Sequence, residues 1–223
     1  MTNRAILVLK YYNSWMEKKM PILLPDGFCE ELCEHLYDPE QNSVEYQRID
    51  NMPGEDLLPF IGYQLNNDEH ELKLIREPEN GYELLIALLD HESKSVLYSN
   101  TIESVDIDFP KDGKPVRQIL IWRDIETNGG DDSHGLVEAV FFDFLIDQYS
   151  IVVSDSEQTR EGRRMWRKLI SMAISNGLEA GMIDKKDQKY NVISDRKSLN
   201  KAAKWLWGED KIHENRLAVI MKL

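Results

Sequence analysis

Apolar and polar positions change period twice along this chain, and each change predicts a different architecture. From residue 71 to 126 the period is two. Leu72 and Leu74 alternate with Lys73, and Val105, Ile107 and Phe109 alternate with Asp106 and Asp108. Such alternation gives strands with one buried and one wet face. Asn80-Gly81 and Asp112-Gly113 are hairpin turn signals. Tyr82 to Leu89 and Val116 to Arg123 read as strands, and Ser95 to Tyr98 opens a return strand after the polar loop Asp90 to Lys94. Asn128 to Asp132 is a flexible acidic loop. Leu136 to Ile146 is apolar on both faces and reads as helix on its length, although strand fits the composition too.

The second change falls within residues 149–178. Ile151, Val152 and Val153 are consecutive β-branched residues, suited to a strand covered on both faces. Ser154-Asp155-Ser156 breaks that run. From about Thr159 the period becomes helical, with Met165, Trp166, Leu169, Ile170 and Ala173 forming one stripe. Asn176-Gly177 is a helix stop, because glycine accepts the left-handed conformation that ends many helices. Leu178 to Ile183 reads as the next strand. Ser198 caps a further helix through Trp205 and Leu206, and Leu217 to Met221 suits a sheet interior.

The N-terminal part is less regular. Residues 4–19 fit a helix from Asn3 to before Pro21, or a strand at 5–9. Asp26 can cap a helix bearing Phe28, Leu32 and Leu36. Residues 38–70, interrupted by Pro39, Pro53, Gly54 and Pro59, read as a linking loop with one short element near 55–65. The expected organisation is a helical portion and connecting loop over 1–66, then an α/β sheet portion over 67–223, the two forming either separate units or one continuous domain. The fold class expected is α+β, with a mixed, largely antiparallel sheet and helices packed on it.

Charge sharpens this picture. The net charge of −13 is unevenly spread. Residues 150–223 hold 15 Lys+Arg against 10 Asp+Glu, whereas residues 1–149 hold 12 against 30. The acidic part disfavours direct nucleic-acid binding and favours a basic protein partner. Attraction between the two parts within one fold is the simpler alternative. No run of eighteen apolar residues suggests a membrane span. The N-terminus lacks a signal-peptide cleavage pattern, and a cytoplasmic setting is expected. Cys29 and Cys33 give no disulfide framework. With His35 nearby they lack a fourth zinc ligand, so buried thiols and no metal are expected.

The candidate site is the turn into the arginine-rich helix. Arg160, Arg163 and Arg164 crowd its first turns, where the helix dipole already places positive charge. An anion there would reverse the unfavourable sign, and phosphate suits both the free N–H groups and the guanidinium forks. Asp155, Gln158, Thr159, Arg160, Gly162, Arg163 and Arg164 are the candidate binding residues. The ordinary alternative is a solvated basic face paired with carboxylates. No catalytic residues stand out: the five histidines are scattered, with no partner at metal or triad spacing, and no nucleotide, hydrolase or zinc-protease motif occurs. Trp166 is expected in the core, and Trp207, beside Gly208, at the surface.

A meander followed by strand, polar turn, helix and strand resembles the GNAT acyltransferase fold over residues 70–223. In that family the turn carries Q/R-x-x-G-x-G/A, whose N–H groups hold the coenzyme A pyrophosphate. Here Gln158 to Arg164 has a Gln-to-Gly spacing one residue too long, and arginine replaces the second glycine. The resemblance implies acetyl-CoA as ligand for an acyltransferase or an inactive relative. The acidic, motif-poor composition also resembles small phage and mobile-element proteins that bind a host protein. That gives the leading expectation from sequence: an interaction protein without a cofactor, whose partner binds nucleic acid. Whether the chain is an enzyme stays open at this point.

Overall fold

Side-chain chemistry explains why the chain starts its first described helix at a proline. The computed structural model describes residues 22–23, 36, 38–76, 78, 82–105, 113–124, 130–153, 157–158, 160–184, 186, 189–207 and 216–222. Helix α1 spans Pro39–Asp50. The Asp38 side chain accepts hydrogen bonds from the N–H groups of Glu40 at 2.9 Å and Gln41 at 3.1 Å. Pro39 sits in the first turn, where its missing N–H costs nothing. The expectation of a linking loop over 38–70 is therefore corrected. The helix escaped a hydropathy reading because it docks partly through a polar residue. Asn42 is buried; its amide donates to Leu36 O and Val96 O and accepts from Val96 N at 2.7 Å.

The strands are β1 (Ile22–Leu23), β2 (Glu55–Asp56), β3 (His70–Arg76), β4 (Leu84–Asp90), β5 (Ser95–Ser104), β6 (Val116–Arg123), β7 (Ser150–Val153), β8 (Glu157–Gln158), β9 (Glu179–Asp184), β10 (Lys189–Val192) and β11 (Arg216–Met221). Nine of them form one sheet in the order β10-β9-β11-β7-β6-β5-β4-β3-β2. Every neighbouring pair is antiparallel except β6 and β7. The short β1 and β8 pair in parallel separately. The protein is thus α+β, with a mixed, largely antiparallel sheet and helices packed on it. Strand β10 was absent from the sequence expectation; its Lys-Tyr-Asn-Val run alternates over only four residues and buries none of them fully.

Four further helical segments are described after β6. A short helix, α2 (Gly130–Ser133), leads through Gly135 at φ +83° into α3. Helix α3 runs from Leu136–Ala139 through a π-helical turn at Val140–Leu145 to Ile146–Gln148. That wider turn lets Val140, Phe141, Phe144, Leu145 and Ile146 all be buried, which is why the stretch is apolar all round. Helix α4 spans Arg160–Ser175 and stops at Gly177, whose φ is +76°. Helix α5 spans Arg196–Leu206. Its N-cap is Asp195, not Ser198. Ser198 completes a reciprocal box: its N–H donates to Asp195 Oδ1 at 2.6 Å and its Oγ accepts from Asp195 N.

The sheet separates the core. On one face Leu72, Ile86, Tyr98 and Ile119 pack with Phe141 of α3, Trp166 of α4 and Leu199 of α5. Trp207 belongs to this cluster at 4% exposure, correcting the expectation that it faces solvent. On the other face Tyr46 and Ile49 of α1 cover Leu85, Leu89 and Trp122, so residues 39–50 share a core with the meander. A separate patch of Val116, Leu217, Val219 and Met221 lies on the C-terminal strands. The N-terminal expectations up to residue 35 fall on residues outside those described, apart from Ile22–Leu23, as does the strand alternation at 106–109.

Candidate functional site

Within the nine-stranded sheet one pair of strands departs from the antiparallel rule, and it lies at the centre. β6 and β7 pair in parallel only over Val116–Gln118 and Ser150–Val152. β6 continues to Arg123, with no described partner on that side beyond Gln118. Among the described residues the pairing is confined to the amino ends of the two strands. In open sheets ligands bind beyond the carboxyl ends of strands at such a switch in direction.

The joined end is held by a polar clamp. Arg117 pairs with Glu83, and its guanidinium lies 5.4 Å from the centre of the Tyr149 ring. The Tyr149 hydroxyl donates to Glu83 Oε1 at 3.3 Å. Burial, then the neighbouring Glu83 charge, pushes the Tyr149 hydroxyl pKa up. Lys114 donates to Ile146 O at 3.0 Å, closing the last turn of α3.

Toward the carboxyl end of β6 the charged groups come from several elements. Glu138 of α3 pairs with Lys168 of α4. Burial would raise the Glu138 pKa, but Lys168 and the Arg123 charge hold it below the usual value. Tyr98 and Asn100 of β5 are buried one strand away, on the face under α3. Burial drives the Tyr98 hydroxyl well above its ordinary value, and the Asn100 amide opposes that shift. These groups were missed by sequence reading. Asn100 within an apolar strand and Glu138 within an apolar helix were the available signals.

The described sequence-predicted residues lie in β8 and at the start of α4. Asp155 and Thr159 lie outside the described residues. Gln158 closes β8 and Arg160 opens α4. Gly162 and Arg163 are half-buried, and Arg164 is exposed. The basic face divides along the helix. Arg167 donates to Asn200 Oδ1 at 2.7 Å and Lys168 pairs with Glu138, as an ordinary solvated face would. Arg163, one turn earlier, has no hydrogen-bond or ion-pair partner among the described residues. The other strand-to-helix junction, after β6, is acidic: Asp124 and Asp132 flank it.

Two histidines have partners that spacing could not reveal. His70, at the start of β3, lies 2.8 Å through Nδ1 from Asp132 of α2, and Asn67 Nδ2 is 3.2 Å from Nε2. Asp132 also accepts from Asn66 N, Asn66 Nδ2 and Asn67 N. Burial would raise its pKa, but these donors bring it below the ordinary carboxylate value. With every polar atom satisfied, this pair is a structural staple between β3 and α2. His91 contacts Tyr46 and Glu71.

No protein-family model matches this chain, and neither curated proteins nor solved structures yield a match.

Proposed function

We propose that this protein holds a phosphate-bearing ligand at the turn from β7 into α4, as an acyltransferase-like enzyme or an inactive relative of one. One observation supports the reading: Arg163 stands half-buried in the first turn of α4, with no hydrogen-bond or ion-pair partner among the described residues. Its neighbours Arg167 and Lys168 are spent on protein groups, so the basic face is not uniformly a solvated one. The helix N-terminus offers N–H groups, and the guanidinium offers a planar fork of donors. The element order that resembles the GNAT acyltransferases supports acetyl-CoA as the ligand to try first.

Calorimetry with acetyl-CoA tests this. Binding is expected, and Arg163→Ala should weaken it about tenfold, the value of one charge-assisted hydrogen bond. Absence of heat, or binding indifferent to Arg163, overturns the reading.

The charge division favours a second reading, a cytoplasmic interaction protein whose acidic part binds a basic, nucleic-acid-binding host protein, as phage or mobile-element proteins do. Val44 supports it, standing 67% exposed on the acidic helix α1. No helix among the described residues is long and apolar enough to cross a membrane. Affinity purification that yields a salt-sensitive basic partner, lost on Val44→Lys, supports this reading; an empty pull-down removes it.

A further inference from the structure

Three side chains from separate elements converge on the face of the sheet that carries α1. They are Asp50 at the end of α1, Glu71 of β3 and His91 in the turn after β4. One ligand atom from each lies within 4.8 Å of the other two. The imidazole is aimed from behind: the Tyr46 hydroxyl is 2.8 Å from His91 Nδ1, and Tyr46 is itself fixed in the core under α1. His91 Nε2 therefore faces the carboxylates, 3.1 Å from Glu71 Oε2. The turn is held as well, since His91 N donates to Glu69 O at 2.9 Å.

Among the described residues no lysine or arginine pairs with either carboxylate. Lys73 donates to the main-chain oxygens Ile49 O at 3.2 Å and Asp50 O at 2.7 Å. It caps the helix and leaves both side chains to His91. The C-terminal end of α1 adds partial negative charge. Asp90 lies close enough to act on Tyr46 together with Asp50 and Glu71.

We propose that Asp50, Glu71 and His91 bind a divalent transition-metal ion of the zinc type, with open positions toward solvent. One nitrogen and two carboxylate oxygens suit such an ion better than calcium or magnesium, which take oxygen. Zinc bonds of about 2.0–2.2 Å require the three donors to close by roughly 1 Å. Asp50 is exposed at a helix end and free to make that movement. In the bound form Nε2 carries the ion and the one proton of the neutral ring sits on Nδ1, donating to the Tyr46 oxygen, an outer hydrogen bond of the kind that orients metal-bound histidines. The ion would clamp the end of α1 to β3 and the β4–β5 turn.

The test is a titration of the full chain with Co²⁺, followed by visible absorption and by thermal unfolding with Zn²⁺. The expected result is one ion per chain, weak d–d bands without a thiolate charge-transfer band, and a raised melting temperature. Glu71→Gln, which keeps the side chain's shape, and His91→Ala should each lower affinity on the order of a hundredfold, and Tyr46→Phe about tenfold. No binding, or binding unchanged by Glu71→Gln and His91→Ala, overturns the proposal. A thiolate band would do so too, by placing the ion at Cys29 and Cys33.

Discussion

The two halves of the sheet are built by different means, and they meet at the β6–β7 fork. In the half from β2 to β6, each strand pairs with its neighbour in sequence. Polar side chains reaching across the chain hold it: Asn42 to β5, Lys73 to the end of α1, and His70 to Asp132. In the half from β7 to β10, strand order is permuted, with β11 between β7 and β9, and helices link the strands. Here apolar packing and close approach dominate, as at Gly181, where a Cβ would overlap the Tyr190 ring. A meander half pinned by polar bonds and a wound half packed by shape should fail in different ways.

The largest difference is expected from Asp132→Ala. It strands His70 and the donors of Asn66 and Asn67 in a buried site, and should cost about 3–5 kcal/mol in chemical denaturation. Next, Gly181→Ala in the wound half forces Tyr190 from its place and should cost about 1–3 kcal/mol. Adding Tyr190→Ala should recover part of that loss, so additive effects would contradict the packing account. Lys73→Met should cost a similar 1–3 kcal/mol, roughly, because it leaves the Ile49 and Asp50 carbonyls short of a donor.

The halves should also differ in pH dependence, read as unfolding free energy across the range. Asp132 titrates below its ordinary value of 3.8. Its contribution is present above that value and is lost as pH falls through the lower, folded value. Tyr190 titrates above its ordinary value of 10.0, through burial and then its hydrogen bond to Glu179. Its contribution is present below that value and is lost as pH rises through the higher, folded one. Asp132→Ala should flatten the acid limb alone, and Tyr190→Phe the alkaline limb alone. The smallest effect, about 1 kcal/mol, is expected for Gly177→Ala at the positive φ that ends α4.

The wound half was largely legible in the sequence, because its signals are local. The β-branched run at 151–153, the stripe through Trp166 and Ala173, and the Gly177 stop each announce themselves within a few residues. The meander's strands were equally readable, but α1 was not. Its docking rests on Asn42 and on Pro39 at a position that tolerates it, and neither looks like helix by hydropathy. Charged partnerships were the least legible. His70 and Asp132 are 62 residues apart, and Glu138 meets Lys168 only because α3 and α4 lie side by side. The candidate turn could be found from its crowded arginines, whereas the division of labour between Arg163 and Lys168 required the structure.

A phosphate-bearing ligand at the start of α4 is proposed, not yet observed. Amide chemical-shift perturbation by acetyl-CoA, mapped on the full chain, tests it most directly. Shifts are expected at Gln118–Arg123 and along the first turns of α4 from Gly162 to Lys168, with β3 and β4 unmoved. Shifts absent from α4, or gathered on β3 and β4 instead, would contradict it.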